Sequence, residues 1–153
     1  MKKIFLLTLS LIVIISILAG CSTKSKDTVL YKNGTYEVSF NKPDKNGWLG
    51  QVKIKIGNEK ITNIDFNYIN AVTGELITDD DAHAKLMYAA TKTTPAKASK
   101  QLTDSLIKTQ DITKVDTVTG ATTTTSDFKT LSAVALDNAK KGTPTAEVIP
   151  YSK

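Results

Sequence analysis

Between Gly34 and Asn70, apolar and polar side chains alternate in three stretches. Tyr36, Val38 and Phe40 are separated by Glu37 and Ser39. Val52, Ile54 and Ile56 are separated by Lys53 and Lys55, and Ile64, Phe66 and Tyr68 by Asp65 and Asn67. A period of two is that of a strand with one buried face. The first two stretches are joined by the turn-rich segment NKPDKNG (41–47), and the second and third by a two-residue hairpin placed at Gly57-Asn58. Three strands joined by short turns predict an antiparallel β-meander whose apolar residues face one core.

After Asn70 the period lengthens to that of helices. Asp79, Asp80 and Asp81 put negative charge at the start of a helix over Ala82 to Ala90, where the helix dipole favours it. Leu86, Met87 and Ala90 are the apolar side expected of that helix. Thr93-Thr94-Pro95 opens a second helix, with Leu102, Leu106 and Ile107 inward and Lys97, Lys100, Asp104 and Lys108 outward. Ile112 and Val115 are consistent with a short strand. A last helix is predicted over Asp127 to Lys141, capped by Thr125 or Ser126, with Phe128, Leu131, Val134, Ala135 and Leu136 apolar and Gly142 and Pro144 ending it. The tail, TAEVIPYSK, is read as an edge strand or a loose end. The fold class expected is α+β: an antiparallel β-meander packed with helices.

The N-terminus belongs to a different problem. Lys2 and Lys3 precede an apolar run from Ile4 to Leu18, and the run ends in Leu18-Ala19-Gly20-Cys21. A basic start, a short apolar core and small residues before a cysteine make a lipoprotein signal peptide, with Cys21 the lipidated first residue of the mature chain. The run is short for a membrane-spanning helix. The organisation expected is a signal peptide at 1–20, a membrane-proximal tether at 21–32, a domain at 33–143 and a tail at 144–153. Cys21 is the sole cysteine of 153 residues, so its sulfur is committed to the lipid and no disulfide forms. The net charge of +5 falls by two when Lys2 and Lys3 leave. All its cations are lysines, scattered along the chain, and the bidentate arginine fork that favours phosphate and base recognition is absent. Nucleic acid is therefore not an expected partner. Exclusive use of Lys points mildly to a Gram-positive source of low GC content.

The most unusual composition is in VDTVTGATTTTSDF, residues 115–128, where seven of fourteen side chains carry hydroxyls around Gly120. Glycine permits a positive φ and leaves space for a close approach. Ala121 is too small to obstruct the hydroxyls after it. Asp116 is placed to accept backbone hydrogen bonds from the turn. A phosphate on such a segment, just ahead of a helix, would meet outward-pointing N–H groups, with Thr and Ser hydroxyls as further donors. A Thr/Ser run before a helix is also what ordinary capping looks like.

The order Asp116-x-x-Thr119-Gly120-Ala121-Thr122 resembles the flavinylation motif of the FMN-binding domain family. Asn33-Gly34-Thr35-Tyr36 resembles the opening of that domain, and Trp48 to Tyr68 its strand pair, with Ile56 to Ile64 the stretch between the two strands; together with the helix carrying Phe128 and Leu131 the likeness covers about residues 33–142. Thr119 stands where many members have Ser. The resemblance implies FMN held covalently as a phosphoester on Thr122, with Asp116, Thr119, Gly120, Ala121, Thr123 and Thr125 around it. It also implies a flavin transferase that moves FMN from FAD onto the hydroxyl and releases AMP. Members include flavin subunits of Rnf-type and sodium-pumping quinone reductase complexes, and lipoproteins of Gram-positive extracellular electron transfer. The chain would then be a lipid-anchored, extracytoplasmic electron carrier rather than an enzyme with its own substrate. Its partners would be a membrane dehydrogenase or quinone-linked redox protein. Covalent attachment would also keep the cofactor from being lost outside the membrane.

Other residues narrow the alternatives. His83 is the sole histidine and reads as part of a solvated helix start, not as a metal ligand. Asp79 to Asp81 lack the glycine and distal glutamate of an EF-hand loop. No Ser-His-Asp or Cys-His set can be assembled. Trp48 and Met87 are core residues or flavin neighbours. Two other readings remain: a pheromone-like peptide clipped from Val13 to Gly20, and a surface antigen whose motif is unmodified.

Overall fold

A computed structural model describes residues 30–152. The signal peptide, Cys21 and the tether as far as residue 29 lie outside the described residues. In chain order the elements are β1 (Gly34–Phe40), β2 (Trp48–Gly57), β3 (Lys60–Asn70), α1 (Asp81–Thr91), α2 (Pro95–Thr109), a single 3-10 turn (Ile112–Lys114), α3 (Thr122–Lys141) and β4 (Glu147–Ile149). The sheet runs β3-β2-β1-β4. The meander of β1, β2 and β3 is antiparallel, with Val38 opposite Val52 and Val52 opposite Phe66. The tail supplies β4, which pairs parallel to β1, with Ser39 opposite Val148, so the four-stranded sheet is mixed. The hairpin turn is Asn58-Glu59, one residue later than expected. Both central residues have positive φ, 52° and 61°, the type I′ geometry that matches strand twist.

One sheet face is polar and open; α2 and α3 cover the other. Tyr36, Val38, Phe40, Val52, Ile54, Ile56, Ile64, Phe66 and Tyr68 are all buried there, as the alternation requires. Phe128 of α3 meets Phe66 edge to face at 5.0 Å, and Leu102, Leu106 and Leu131 are fully enclosed. Burying each of these side chains contributes about 2 kcal/mol. Gly50 is where the sheet makes room: a Cβ there would stand 3.1 Å from the Phe40 ring and 3.2 Å from that of Tyr68. Both rings fill the space a side chain at this position would take.

Several expectations needed correction. The domain begins before Asn33: Tyr31 is buried, and the Lys32 N–H donates to the Ala139 carbonyl at 2.9 Å. Helix α1 has no buried residue. Leu86, expected on its apolar side, is 74% exposed, whereas Met87, expected on the same side, is partly buried against the core. Asp80 accepts from the His83 N–H at one end, and Lys92 takes the left-handed conformation at the other. Ile112 lies in the 3-10 turn, with Val115 just after it, and neither is in a strand. Helix α3 begins at Thr122, five residues earlier than predicted.

Candidate functional site

The hydroxyl cluster is built on one tight turn. Residues Val118 to Ala121 close with the Ala121 N–H donating to the Val118 carbonyl at 3.0 Å. Gly120 has φ +78°, the value a type II turn requires at its third position. A Cβ on Gly120 would lie 2.7 Å from both Cβ and the carbonyl oxygen of Thr91. Glycine is thus needed twice: for its backbone angle, and for the close approach of the end of α1.

Thr125 locks this turn from inside. It is buried; its hydroxyl accepts from the Val118 N–H at 3.1 Å and donates to the Ala121 carbonyl at 2.9 Å. The acceptor role expected of Asp116 therefore falls to Thr125. Asp116 and Thr119 are both exposed. Ala121 is buried at the N-cap of α3 and has no side-chain acceptor to offer. The other two long helices are capped conventionally, α1 by Asp80 and α2 by Thr94, whose hydroxyl accepts from the Lys97 N–H. Thr122 is the first helical residue of α3 and is exposed, as is Thr123. The first turn of any helix directs N–H groups outward without intrahelical partners, so α3 presents partial positive charge beside the exposed Thr122 hydroxyl.

An open cleft of roughly 480 Å³ adjoins this start, lined by Trp48, Tyr68, His83, Thr123, Thr124, Asp127 and Tyr151, with the Asp44–Asn46 loop at its rim. Trp48 opens β2, and its N–H donates to the Asp44 carboxylate at 2.9 Å. His83 stands edge-on to Trp48 with ring centroids 5.9 Å apart; it is a cleft wall rather than part of a solvated helix start. Met87 lines a small adjoining recess, with Phe66 and Thr124. At the cleft floor the Tyr68 hydroxyl donates to Asp127 Oδ2 at 2.8 Å and accepts from Thr124. Burial, followed by the negative charge of Asp127, holds the Tyr68 phenol far above the ordinary tyrosine range.

The sequence reading missed Tyr68 and Asp127 as a pair. They are 59 positions apart, and Tyr68 is indistinguishable from the other inward residues of its strand. A signal existed at Asp127. It precedes Phe128 and lies four residues before Leu131, so it places a carboxylate on the stripe that should be apolar.

No family model matches the chain. A 15 kDa lipoprotein of Treponema pallidum (strain Nichols) is 29% identical over 126 residues, covering 82% of this chain and 85% of that protein. This homologue supports reading the chain as a lipoprotein. A solved structure of a Clostridium perfringens protein superposes with a TM-score of 0.77 at 30% identity, covering 80% of this chain and all of that one; the two are members of one family. A Clostridium thermocellum protein superposes with a TM-score of 0.50 at 25% identity, over 71% and 92% of the two chains. These neighbours establish the α+β fold. Among the described residues, no helix is long and apolar enough to cross a membrane.

Proposed function

We propose that this chain is a lipid-anchored, extracytoplasmic flavoprotein that carries FMN as a phosphoester on Thr122 and passes electrons between a membrane redox partner and an acceptor outside. The observation that carries the proposal is the exposed Thr122 hydroxyl at the uncapped start of α3, beside an aromatic-lined cleft. The Asp116-x-x-Thr119-Gly120-Ala121-Thr122 motif falls on this place in the fold.

The residues present fit such a group. The cleft is in the range of about 300–1,000 Å³ usual for small-molecule sites, and Trp48, Tyr68 and Tyr151 give it aromatic walls. The flavin, when attached, supplies one- and two-electron transfer. The chain's own residues do the rest. Gly120 lets the turn close against Thr91, and Thr125 holds that turn so that Thr122 stays outside. The N–H groups of the first turn of α3 favour a phosphate dianion or diester. Thr123 and Thr124 line the path from the acceptor into the cleft. Loading needs a flavin transferase: the Thr122 oxygen replaces AMP on the FMN phosphorus of FAD, and AMP leaves.

Co-expression with such a transferase is expected to add one FMN, less one water, to the intact mass, with the modification mapping to Thr122. Thr122→Val is expected to abolish it. Full labelling of that variant with no modified neighbour would sink the reading. A second reading, a surface lipoprotein whose motif is unmodified, is compatible with the name of the Treponema homologue, and an unmodified mass after co-expression would select it.

A further inference from the structure

The described chain enters the domain at the end opposite the cleft. Tyr31 is buried, the Lys32 N–H donates to the Ala139 carbonyl, and the Lys32 ammonium donates to the Lys141 carbonyl at 3.2 Å. The exit towards Cys21 is therefore fixed beside the C-terminal turn of α3, while Thr122 occupies its N-terminus. From Thr122 to Ala139 the helix rises about 25 Å at 1.5 Å per residue. Strand β2 gives an independent ruler. It runs from Trp48, in the cleft, to Gly57, next to the Asn58-Glu59 turn, a span of about 30 Å. That turn lies at the exit, where the Glu59 N–H donates to Asn33 Oδ1 at 3.0 Å.

The two ends differ in charge. Around the exit, Lys32, Lys60, Lys114, Lys140 and Lys141 are exposed. The acids there are Glu59, Asp111, Asp137 and Glu147; Asp111 pairs with Lys114 and Asp137 with Lys141, which leaves Lys32, Lys60 and Lys140 against Glu59 and Glu147, a small positive excess. Leu30, 59% exposed, adds an apolar side chain beside them. Around the cleft the balance reverses, with Asp44, Glu75, Asp79, Asp80 and Asp81 against Lys42, Lys45 and Lys85. The link from Cys21 to Leu30 reaches at most about 30 Å when fully extended, so the exit end stays within reach of the bilayer surface.

We infer that the exit end, formed by the C-terminal turn of α3, the β2–β3 hairpin and Leu30, lies against anionic lipid headgroups, and that the cleft faces away from the bilayer. This rests on lipidation of Cys21 but not on flavin attachment. The acidic, cleft-bearing end is then offered to partners approaching from outside, at a distance set by the length of the domain. A partner within the membrane would have to project beyond its surface to reach Thr122.

The test uses the full lipidated chain, whose single native thiol is blocked by lipid, so an introduced cysteine can be labelled alone. A fluorophore is placed at Lys60→Cys or at Ala82→Cys, both exposed sites, one at each end. The proteins are incorporated in vesicles containing phosphatidylglycerol and a headgroup-linked quencher. Emission from position 60 is expected to be quenched several-fold more than emission from position 82, with the difference shrinking on purely zwitterionic vesicles. Equal quenching, or stronger quenching at position 82, overturns the orientation. An unchanged difference on zwitterionic vesicles overturns the role of anionic headgroups. Failure of the unlabelled chain to float with vesicles refutes the anchor itself, and flotation is scored separately from quenching.

Discussion

Helices α2 and α3 both start at threonines, and the two starts do opposite things. At α2, Thr94 turns its hydroxyl onto the Lys97 N–H at 3.2 Å, and Pro95 follows in the first turn. The helix end is closed by its own side chain. At α3, four consecutive threonines are available, yet the N-cap is Ala121 and no side chain caps the end. Thr125, the one buried member of the run, bonds backward to the turn, Thr124 bonds to Tyr68, and Thr122 is left at the surface. The difference comes from Gly120. Its left-handed backbone shifts the helix start so that the residue at the cap is alanine. Hydroxyl content therefore does not identify a cap; the backbone turn in front decides which hydroxyls close the helix and which remain available.

The largest expected effect follows from breaking that turn. Gly120→Val places a β-branched side chain at φ +78° and within 2.7 Å of Thr91. It is expected to destabilise the domain by about 3 kcal/mol, measured by urea unfolding, and to abolish the proposed flavinylation along with it. A stable Gly120→Val protein would mean that α1 does not close against this turn. Next comes Thr125→Val, which keeps the shape but leaves the buried Val118 N–H without its acceptor. A loss of about 2 kcal/mol is expected. A neutral result would show that the backbone of the turn holds without the latch. At the other helix, Thr94→Ala is expected to cost about 1 kcal/mol, the usual loss for a surface N-cap, without changing flavin loading.

What the sequence made legible follows the same distinction between pattern and turn. The three strands were readable because alternation on a half-buried sheet leaves a period-two record at Val52 to Ile56 and Ile64 to Tyr68. Helix α2 was readable from Pro95 and the stripe of Leu102 and Leu106. The start of α3 was not, since a Thr run is compatible with cap, turn or helix, and the choice depends on contacts between Gly120 and Thr91 across the fold. Helix α1 turns inward a different face from the one expected: His83, Met87 and Thr91 are half-buried, while Leu86 and Ala90 lie outside that line and are exposed. In the site, Gly120 forms the turn, Ala121 is the N-cap of α3 and Thr122 is its exposed first residue. Asp116 does not hold the turn, and the Tyr68–Asp127 floor of the cleft depends on a pairing between β3 and α3 that no local spacing encodes.

The smallest expected effect is the one that tests the comparison most directly. If Thr122 closed α3 as Thr94 closes α2, replacing it with valine would cost about 1 kcal/mol. The structure instead places Thr122 at the first helical position, exposed, with Ala121 at the cap. Valine and threonine have similar helix propensities and the same branched shape. Thr122→Val should therefore leave the melting temperature of the unmodified protein within about 1 °C of its starting value. Thermal unfolding of Thr122→Val and Thr94→Ala, both prepared without a flavin transferase, separates the cases. Equal losses would make Thr122 a second cap and remove the reason to regard its hydroxyl as available. A loss at Thr94 alone would leave Thr122 with no structural task, which is the condition an attachment residue must meet, since its modification cannot be allowed to unlock the helix it sits on.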